Sequence, residues 1–235
     1  MKAFYNELAL LREEKKKRHE MGLCLIEGKK TILEVAAKRP LVHLLTTEEH
    51  PHVQAKEVYH VSEEVIHKIS GTVSPDGWVA TTALPKASSL DHCRWILALD
   101  KIQDPGNLGT LIRTALAFGF EGLFMISGGV DLFNEKVLRA TKGASLFIPY
   151  REGKAEELLE FQRKHSLPLF SGDLKGGVPE QVPAAILLLG NEGQGVSPIF
   201  KEQATALTIP ISSEMESLNV AVAGSLLMAK LKGIL

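Results

Sequence analysis

The run Ala184-Ala185-Ile186-Leu187-Leu188-Leu189, closed by Gly190, constrains this chain more than any other stretch. Six apolar residues in a row, with no alternation, leave no polar face for water. They predict a strand covered on both sides, as in the middle of a parallel sheet. Parallel neighbours need crossover connections, and the second half of the chain supplies them. Strands are predicted over 95–99, 122–126, 146–149, 167–170 and 206–209, the fourth with Pro168 near its start, where a missing amide is tolerated. Helices are predicted over 108–118, 134–141 and 155–165. Leu218, Val222, Ser225, Leu226 and Ala229 recur at helical spacing and place a last helix over 217–231. The alternation predicts an α/β domain with a mostly parallel sheet.

The front of the chain reads as a second, smaller unit. Residues 23–26 are a short apolar run ended by Glu27-Gly28, a helix is predicted over 30–38, and 41–45 and 58–61 read as strands. Ser62 can cap a helix over 63–69. Gly71-Thr72 and Pro75-Asp76-Gly77 are turn signals, and 78–82 alternates weakly, as a closing strand would. This predicts a small α/β domain over 1–84, a linker over 85–93 and the larger domain over 94–235. A chain of 235 residues, 45% hydrophobic, is large enough for two such cores.

A formal net charge of -1 offers no global pull on a polyanion, so a nucleic-acid partner needs a local basic patch. Arg12, Lys15, Lys16, Lys17 and Arg18 form one, with Glu13, Glu14 and Glu20 interleaved. Two readings are open: a solvated helix face with internal ion pairs, or a patch that holds phosphates without reading bases. Cys24 and Cys93 sit in apolar company and read as buried free thiols of a reduced compartment. Residues 1–17 are charged and lack an apolar leader core, and no run reaches membrane-span length, so the expectation is a cytoplasmic globule. The eight histidines show no ligand spacing, so no metal is expected.

Three loops carry the chemistry-bearing residues. The first, 99–115, leaves a strand, turns through Asp104-Pro105-Gly106 and opens a helix near Asn107, an arrangement that makes a ligand-binding edge in α/β proteins. Asn107 and Arg113 fall near the same helix end. Arg113 is either an ordinary salt-bridged surface arginine or a functional group. The second loop, Gly190-Asn191-Glu192-Gly193-Gln194-Gly195, follows the buried strand. Its glycines permit tight turns and close backbone approach to a ligand, or serve the turn alone. Glu192 can accept hydrogen bonds from a ribose, an amine or a guanidinium. The loop is neither a Rossmann fingerprint, since it lies late with the wrong spacing, nor a Walker loop, since no Lys-Ser/Thr pair follows. In the third loop, 209–220, Ser217 can cap the last helix, and Asn219 either faces a ligand or caps.

Together, residues 99–115, the Gly190 to Gly195 loop and Glu216-Ser217-Leu218-Asn219-Val220 resemble the three signature motifs of the SpoU (TrmH-type) RNA 2'-O-ribose methyltransferases of the SPOUT superfamily, in family order. The stretch from Asp131 to Gly143 is also similar, through Asn134, Lys136, Arg139 and Gly143, although Thr141-Lys142 stands where a small pair is more common. The front resembles the family's L30e-like substrate-binding domain at Lys17-Arg18, Gly22, Glu27-Gly28 and 69–77, with Asp76 in place of the more usual glutamine.

The resemblance implies a trefoil-knotted parallel-sheet domain behind a small L30e-like one, although true knots are nearly absent among folds. It implies S-adenosylmethionine as methyl donor, held by backbone groups at Gly190, Ile209 and Leu218, with Leu189 and the Ser127-Gly128 turn nearby. It also implies a homodimer whose site is completed across the interface. Arg113 is the family's proposed base. A guanidinium normally stays protonated, so the alternative is that Arg113 stabilises a developing alkoxide and orients a phosphate. Asn107 and Glu192 would hold Arg113 and the ribose, and Ser217 and Asn219 would shape the loop beside the methyl group. RNA contacts are expected at Lys15, Lys16, Lys17 and Arg18, and at Lys136, Arg139 and Lys142. The front domain favours 23S ribosomal RNA as substrate; a tRNA methyltransferase or a non-catalytic RNA-binding protein are the alternatives.

Overall fold

The computed structural model describes residues 2–235. They form two compact units. One is the chain up to Pro85 together with Asp131–Phe147; the other is Lys86–Val130 with Ile148–Leu235. The segment 131–147, read from the sequence as part of the larger domain, thus packs within the first unit.

The first unit contains α1 (Lys2–Glu13), α2 (Lys15–Met21), β1 (Leu23–Glu27), α3 (Lys29–Ala36), β2 (Leu41–Thr46), β3 (Ala55–His60), α4 (Glu63–Ser70) and β4 (Trp78–Ala83). Its sheet order is β1-β4-β2-β3. The expected closing strand is therefore a central one, antiparallel to both β1 and β2. Its weak alternation has a physical cause. Thr81 and Thr82 are buried, but the Thr81 hydroxyl meets the His43 ring at 2.8 Å and the Thr82 hydroxyl donates to the Pro40 carbonyl at 2.9 Å. Satisfied hydroxyls let a polar-looking strand be covered on both faces. Leu8 and Leu11 of α1 and Ile66 and Ile69 of α4 pack with Leu25, Leu45 and Val79. Asp76, the departure from glutamine, accepts from the Lys29 amide at 2.7 Å and the Trp78 amide at 3.3 Å, which anchors the start of α3. Ser62 precedes α4 in extended conformation, yet its hydroxyl makes no capping bond.

Arg18 is 1% exposed. Its guanidinium donates to the Leu11 carbonyl at 2.7 Å and pairs with Asp131. This corrects its reading as a phosphate contact. The charge is consumed inside the unit, where it fastens α2 to the returning segment 131–147.

The second unit contains β5 (Trp95–Asp100), α5 (Pro105–Ala117) and β6 (Gly122–Ile126). The chain then enters the first unit as α6 (Glu135–Thr141) and a 3-10 turn at Ala144–Leu146. It returns as β7 (Tyr150–Gly153), α7 (Ala155–His165), β8 (Leu169–Gly177), β9 (Ala185–Gly190), β10 (Thr205–Leu207) and α8 (Val220–Leu231). The sheet order is β10-β8-β9-β5-β6-β7, with every pair parallel. All six residues of β9 are buried between β8 and β5, the place that its uninterrupted apolar run predicts. On one face Ile96, Ala98, Ile186 and Leu188 pack with Phe124, Leu158 and Phe161.

Two expectations are corrected here. The strand over 146–149 is absent: Lys142 and Gly143 take left-handed φ values of 50° and 78°, the chain tightens into the 3-10 turn, and pairing with β6 is carried by β7. β8 also outruns its predicted end. It leaves β10 after Ser171, which pairs with Ala206, and rejoins at Gly177, which pairs with Leu207, so 172–176 form an excursion. Only glycine suits position 176, where a Cβ would lie 2.4 Å from the Ala206 carbonyl oxygen. α8 packs on α5 and β9. Gly224 permits that approach, since a Cβ there would meet Leu189 at 2.4 Å and Leu111 at 2.6 Å. Among the described residues no helix is long and apolar enough to cross a membrane. Cys24 is buried, Cys93 is half-buried, and both are free thiols.

Candidate active site

A parallel sheet delivers all its strand C-termini to one edge, and that edge is where α/β folds bind ligands. Here β5, β9 and β10 end beside one another's loops. After β5, Asp104 caps α5: its Oδ1 accepts from the Asn107 amide at 2.7 Å, with Pro105 in the first turn, where its missing amide costs nothing. After β9, Glu192 reaches back to that turn. Its Oε1 accepts from the Asp104 amide at 3.2 Å and from Asn107 Nδ2 at 3.1 Å, and its Oε2 accepts from the Gln103 amide at 3.3 Å. Burial pushes the Glu192 carboxyl up, but the bonds from Asn107 and the two amides outweigh it and hold the group below the usual glutamate range.

Before α8, the helix cap is Asn219 and not Ser217. Asn219 Oδ1 accepts from the Ala221 and Val222 amides at 2.9 and 3.3 Å, and its Nδ2 donates to Asn107 Oδ1 at 2.9 Å. Asn219, Asn107 and Glu192 thus form one chain of hydrogen bonds across three loops. Asn107 and Glu192, expected to hold Arg113 and the ribose, here hold each other and the α5 start. Arg113 is exposed on α5, and among the described residues no hydrogen bond or ion pair engages its guanidinium. It is not a salt-bridged surface arginine.

A cleft of about 960 Å³ opens beside this chain. Leu189, Gly190, Ile209 and Leu218 line it, as do Glu192, Ser217 and Asn219. Its charged lining is Asp173, Glu192 and Glu216 against Lys201, an acid excess that favours a cationic ligand. Ser127 and Gly128 do not line it. The Ser127 hydroxyl donates to the Gly153 carbonyl at 3.2 Å, and the Gly128 carbonyl accepts from Gln103 Nε2 at 2.9 Å. Gly190 is bare for an internal reason: a Cβ there would lie 2.1 Å from the Gly195 carbonyl carbon, because the loop closes on itself through the Asn191–Gly195 bridge.

Sequence reasoning missed the groups that pin this loop. Asp100, 1% exposed at the end of β5, accepts from the Ser197 amide at 2.6 Å, and Asn191 Nδ2 donates to the Lys101 carbonyl at 3.1 Å. The available signal was a carboxylate and an amide at the ends of two apolar strands. Nor did the sequence show that the excursion 172–174 joins the cleft wall.

The expected RNA contacts separate in the first unit. Lys16 pairs with Glu20 at 3.7 Å, Lys17 with Glu7 at 3.2 Å, and Arg139 with Glu27 and Glu135 at 3.2 and 3.4 Å. Lys15 lies at the start of α2, and its side chain is exposed. Lys136 and Lys142 are exposed and carry no ion pair among the described residues.

The SpoU rRNA Methylase family matches residues 94–229, and the MRM3-like substrate binding domain matches residues 6–80. The 23S rRNA (guanosine(2553)-2'-O)-methyltransferase RlmP of Bacillus subtilis (strain 168) is 30% identical over 229 residues, which are 93% of this chain and 92% of that protein. A solved structure of a TrmH-family RNA methyltransferase from Porphyromonas gingivalis superposes with a TM-score of 0.84 at 31% identity, covering 98% of this chain and 97% of that one. The AdoMet-bound rRNA methyltransferase from Sinorhizobium meliloti superposes with a TM-score of 0.85 at 26% identity, covering 99% and 95%.

Proposed function

Because the chain belongs to the SpoU rRNA methylase family, we propose that it methylates 23S ribosomal RNA, with the residues of the β5, β9 and β10 loops as its catalytic centre. The reaction class is S-adenosylmethionine-dependent methylation of a ribose 2'-hydroxyl in RNA. The observation that carries the site is the chain Asn219–Asn107–Glu192 standing beside the acid-lined cleft.

The cleft suits the cofactor. Its volume holds a nucleoside with an amino-acid tail, and its carboxylates complement a sulfonium and an ammonium. Leu189, Gly190, Ile209 and Leu218 would hold S-adenosylmethionine, with Ser217 beside them. Bound there, the cofactor supplies an already activated methyl group. What remains for the protein is to align a ribose hydroxyl and handle one proton. Arg113 serves as a cation that stabilises the alkoxide as its proton passes to solvent water, since a guanidinium keeps its own protons. Asn107, clamped from both sides, fixes the start of the helix that presents Arg113.

Further features belong to the same reading. To reach α5 from β10, the chain must cross the ends of β8 and β9, a path that supports a trefoil knot. The mixed sheet of the first unit, flanked by helices, supports an L30e-like substrate domain. The exposed Val222 of α8 and the unpaired Arg113 of α5 support a homodimer that covers these helices. Two free thiols support a cytoplasmic protein. Lys15, Lys16, Lys17, Lys136 and Lys142 remain as RNA contacts of the first unit.

The test is a map of ribose methylation in ribosomal RNA and tRNA from cells with and without this protein. One ribose in 23S rRNA should lose its methyl group, and the position named for the Bacillus subtilis relative is the first to inspect. A change confined to tRNA, or no change, would overturn the substrate assignment.

A further inference from the structure

The Ser127-Gly128-Gly129 turn, displaced from the cofactor cleft, has another use. Lys101 follows β5 in a left-handed conformation, φ 57°, which a side chain adopts only under constraint. The constraints are visible. Its carbonyl is held by Asn191 Nδ2 at 3.1 Å. Its Cα stands so close to Gly129 that a Cβ on that glycine would lie 3.2 Å away. Its stem lies along Gly128, where a Cβ would lie 3.7 to 3.8 Å from Lys101 Cγ, Cδ and Cε. The turn is itself fastened, by Gln103 Nε2 to the Gly128 carbonyl and by the Val130 amide to the Ile102 carbonyl, both at 2.9 Å.

The two glycines are therefore a berth for a lysine stem. A lysine normally gives up much rotamer entropy when it is held, and here that cost is met by packing before any ligand arrives. Its ammonium is exposed, and no carboxylate lies within ion-pair distance among the described residues. Strand order gives its direction. In the order β9-β5-β6, the stem runs from the end of β5 toward β6, away from the cleft beside β9. A ligand in that cleft would lie on the other side of β5, and Lys101 would face a polyanion on the β6 flank.

Resting on the methyltransferase reading, we propose that Lys101 binds an RNA phosphate next to the ribose to be methylated and sets the register of the strand over the start of α5. Unmethylated 23S rRNA transcribed in vitro is the probe, titrated at several salt concentrations with wild type, Lys101→Gln, Lys101→Asn and Lys101→Arg. Asparagine tolerates the left-handed conformation and so controls for backbone strain. Gln and Asn should weaken RNA binding about five- to tenfold and flatten the log–log salt slope by about one unit, as loss of one phosphate contact does. Arg should stay within about twofold of wild type, because a guanidinium also holds phosphate. S-adenosylmethionine affinity by calorimetry should not change in any variant. Unchanged RNA affinity and slope would overturn the proposal, and so would a weakened cofactor, which would place Lys101 on the cleft side. The binding readout does not need turnover. A wild type that binds the transcript without methylating it therefore counts against the catalytic reading, while the slopes still decide the role of Lys101.

Discussion

The basic run of α2 and two isolated cations, Lys101 after β5 and Arg113 in α5, use positive charge in opposite ways. Lys16, Lys17 and Arg18 each have an acid partner, and Arg18 is buried with its own. Lys101 and Arg113, set apart from other cations in the sequence, have no ion pair among the described residues. Dense charge along a helix neutralises itself locally, because residues three or four apart are neighbours and nearby carboxylates are drawn in. Asp100 and Asp104, the acids nearest Lys101 in sequence, are engaged by the Ser197 and Asn107 amides, so Lys101 stays available to a ligand. In this chain availability follows isolation and not density.

The sharpest way to break that comparison is Arg113→Ala. Single-turnover methyl transfer should fall about a thousandfold, the upper range for a group that stabilises developing charge, while cofactor affinity holds. A loss that saturating cofactor restores would mean that Arg113 serves binding and not the transition state.

Arg18→Ala tests the other side. It leaves the partly exposed Asp131 with only the Phe133 amide and the Leu11 carbonyl without its guanidinium donor, so the denaturant midpoint should drop by the equivalent of about 2 kcal/mol, less than for a fully buried broken pair. If stability were kept and RNA affinity fell instead, Arg18 would rejoin the phosphate contacts.

Glu192→Gln sharpens the comparison from the acid side. Glu192 titrates below its usual range in the fold, so its charged form adds stability that is complete above the unfolded glutamate value and is lost as pH falls through the lowered one. The variant should be less stable than wild type at neutral pH, and the gap should close in acid. A gap independent of pH would show that shape, and not charge, holds the α5 turn.

The smallest effect is expected from Gln at Lys15, Lys16 and Lys17 together. Exposed pairs contribute little, so stability should move by less than about 0.5 kcal/mol. RNA affinity should weaken and the salt slope should flatten by less than one unit for each substitution. Parallel slopes with unchanged affinity would make α2 a solvated face and shift the search to Lys136 and Lys142.

Where a property belongs to a short stretch, it was legible in the sequence. β6 and α7 stand where periodicity puts them, and β9 is buried on both faces as its composition demands. The failures share a cause. Strand β4 read as a closing strand because it alternates only weakly; the groups that satisfy its buried threonines, the Pro40 carbonyl and the His43 ring, lie about 40 residues away. The apolar stretch 146–149 looked like a strand because no periodicity reports the left-handed turn at Lys142 and Gly143. In the site, Arg113, Asn107, Glu192 and Asn219 were legible as candidates. Their wiring was not, because Glu192 and Asn107 are 85 residues apart and Asn219 and Asn107 are 112 apart. Asp100, Asn191 and Lys101 act through partners equally remote.

The chain Asn219–Asn107–Glu192 has a direction, and the direction sets which substitutions it tolerates. Asn219 spends its oxygen on the first amides of α8, so only its NH₂ is left for Asn107. Asn107 must then accept on one side and donate on the other, and Glu192 can only accept. Asp in place of Asn at either position erases a donor. At position 107 it would set one carboxylate against another; at position 219 it would set a carboxylate against the Asn107 oxygen. Either change leaves the apolar cores untouched. Asn107→Asp and Asn219→Asp should therefore lose methyl transfer well before they lose the fold, each through one added negative charge.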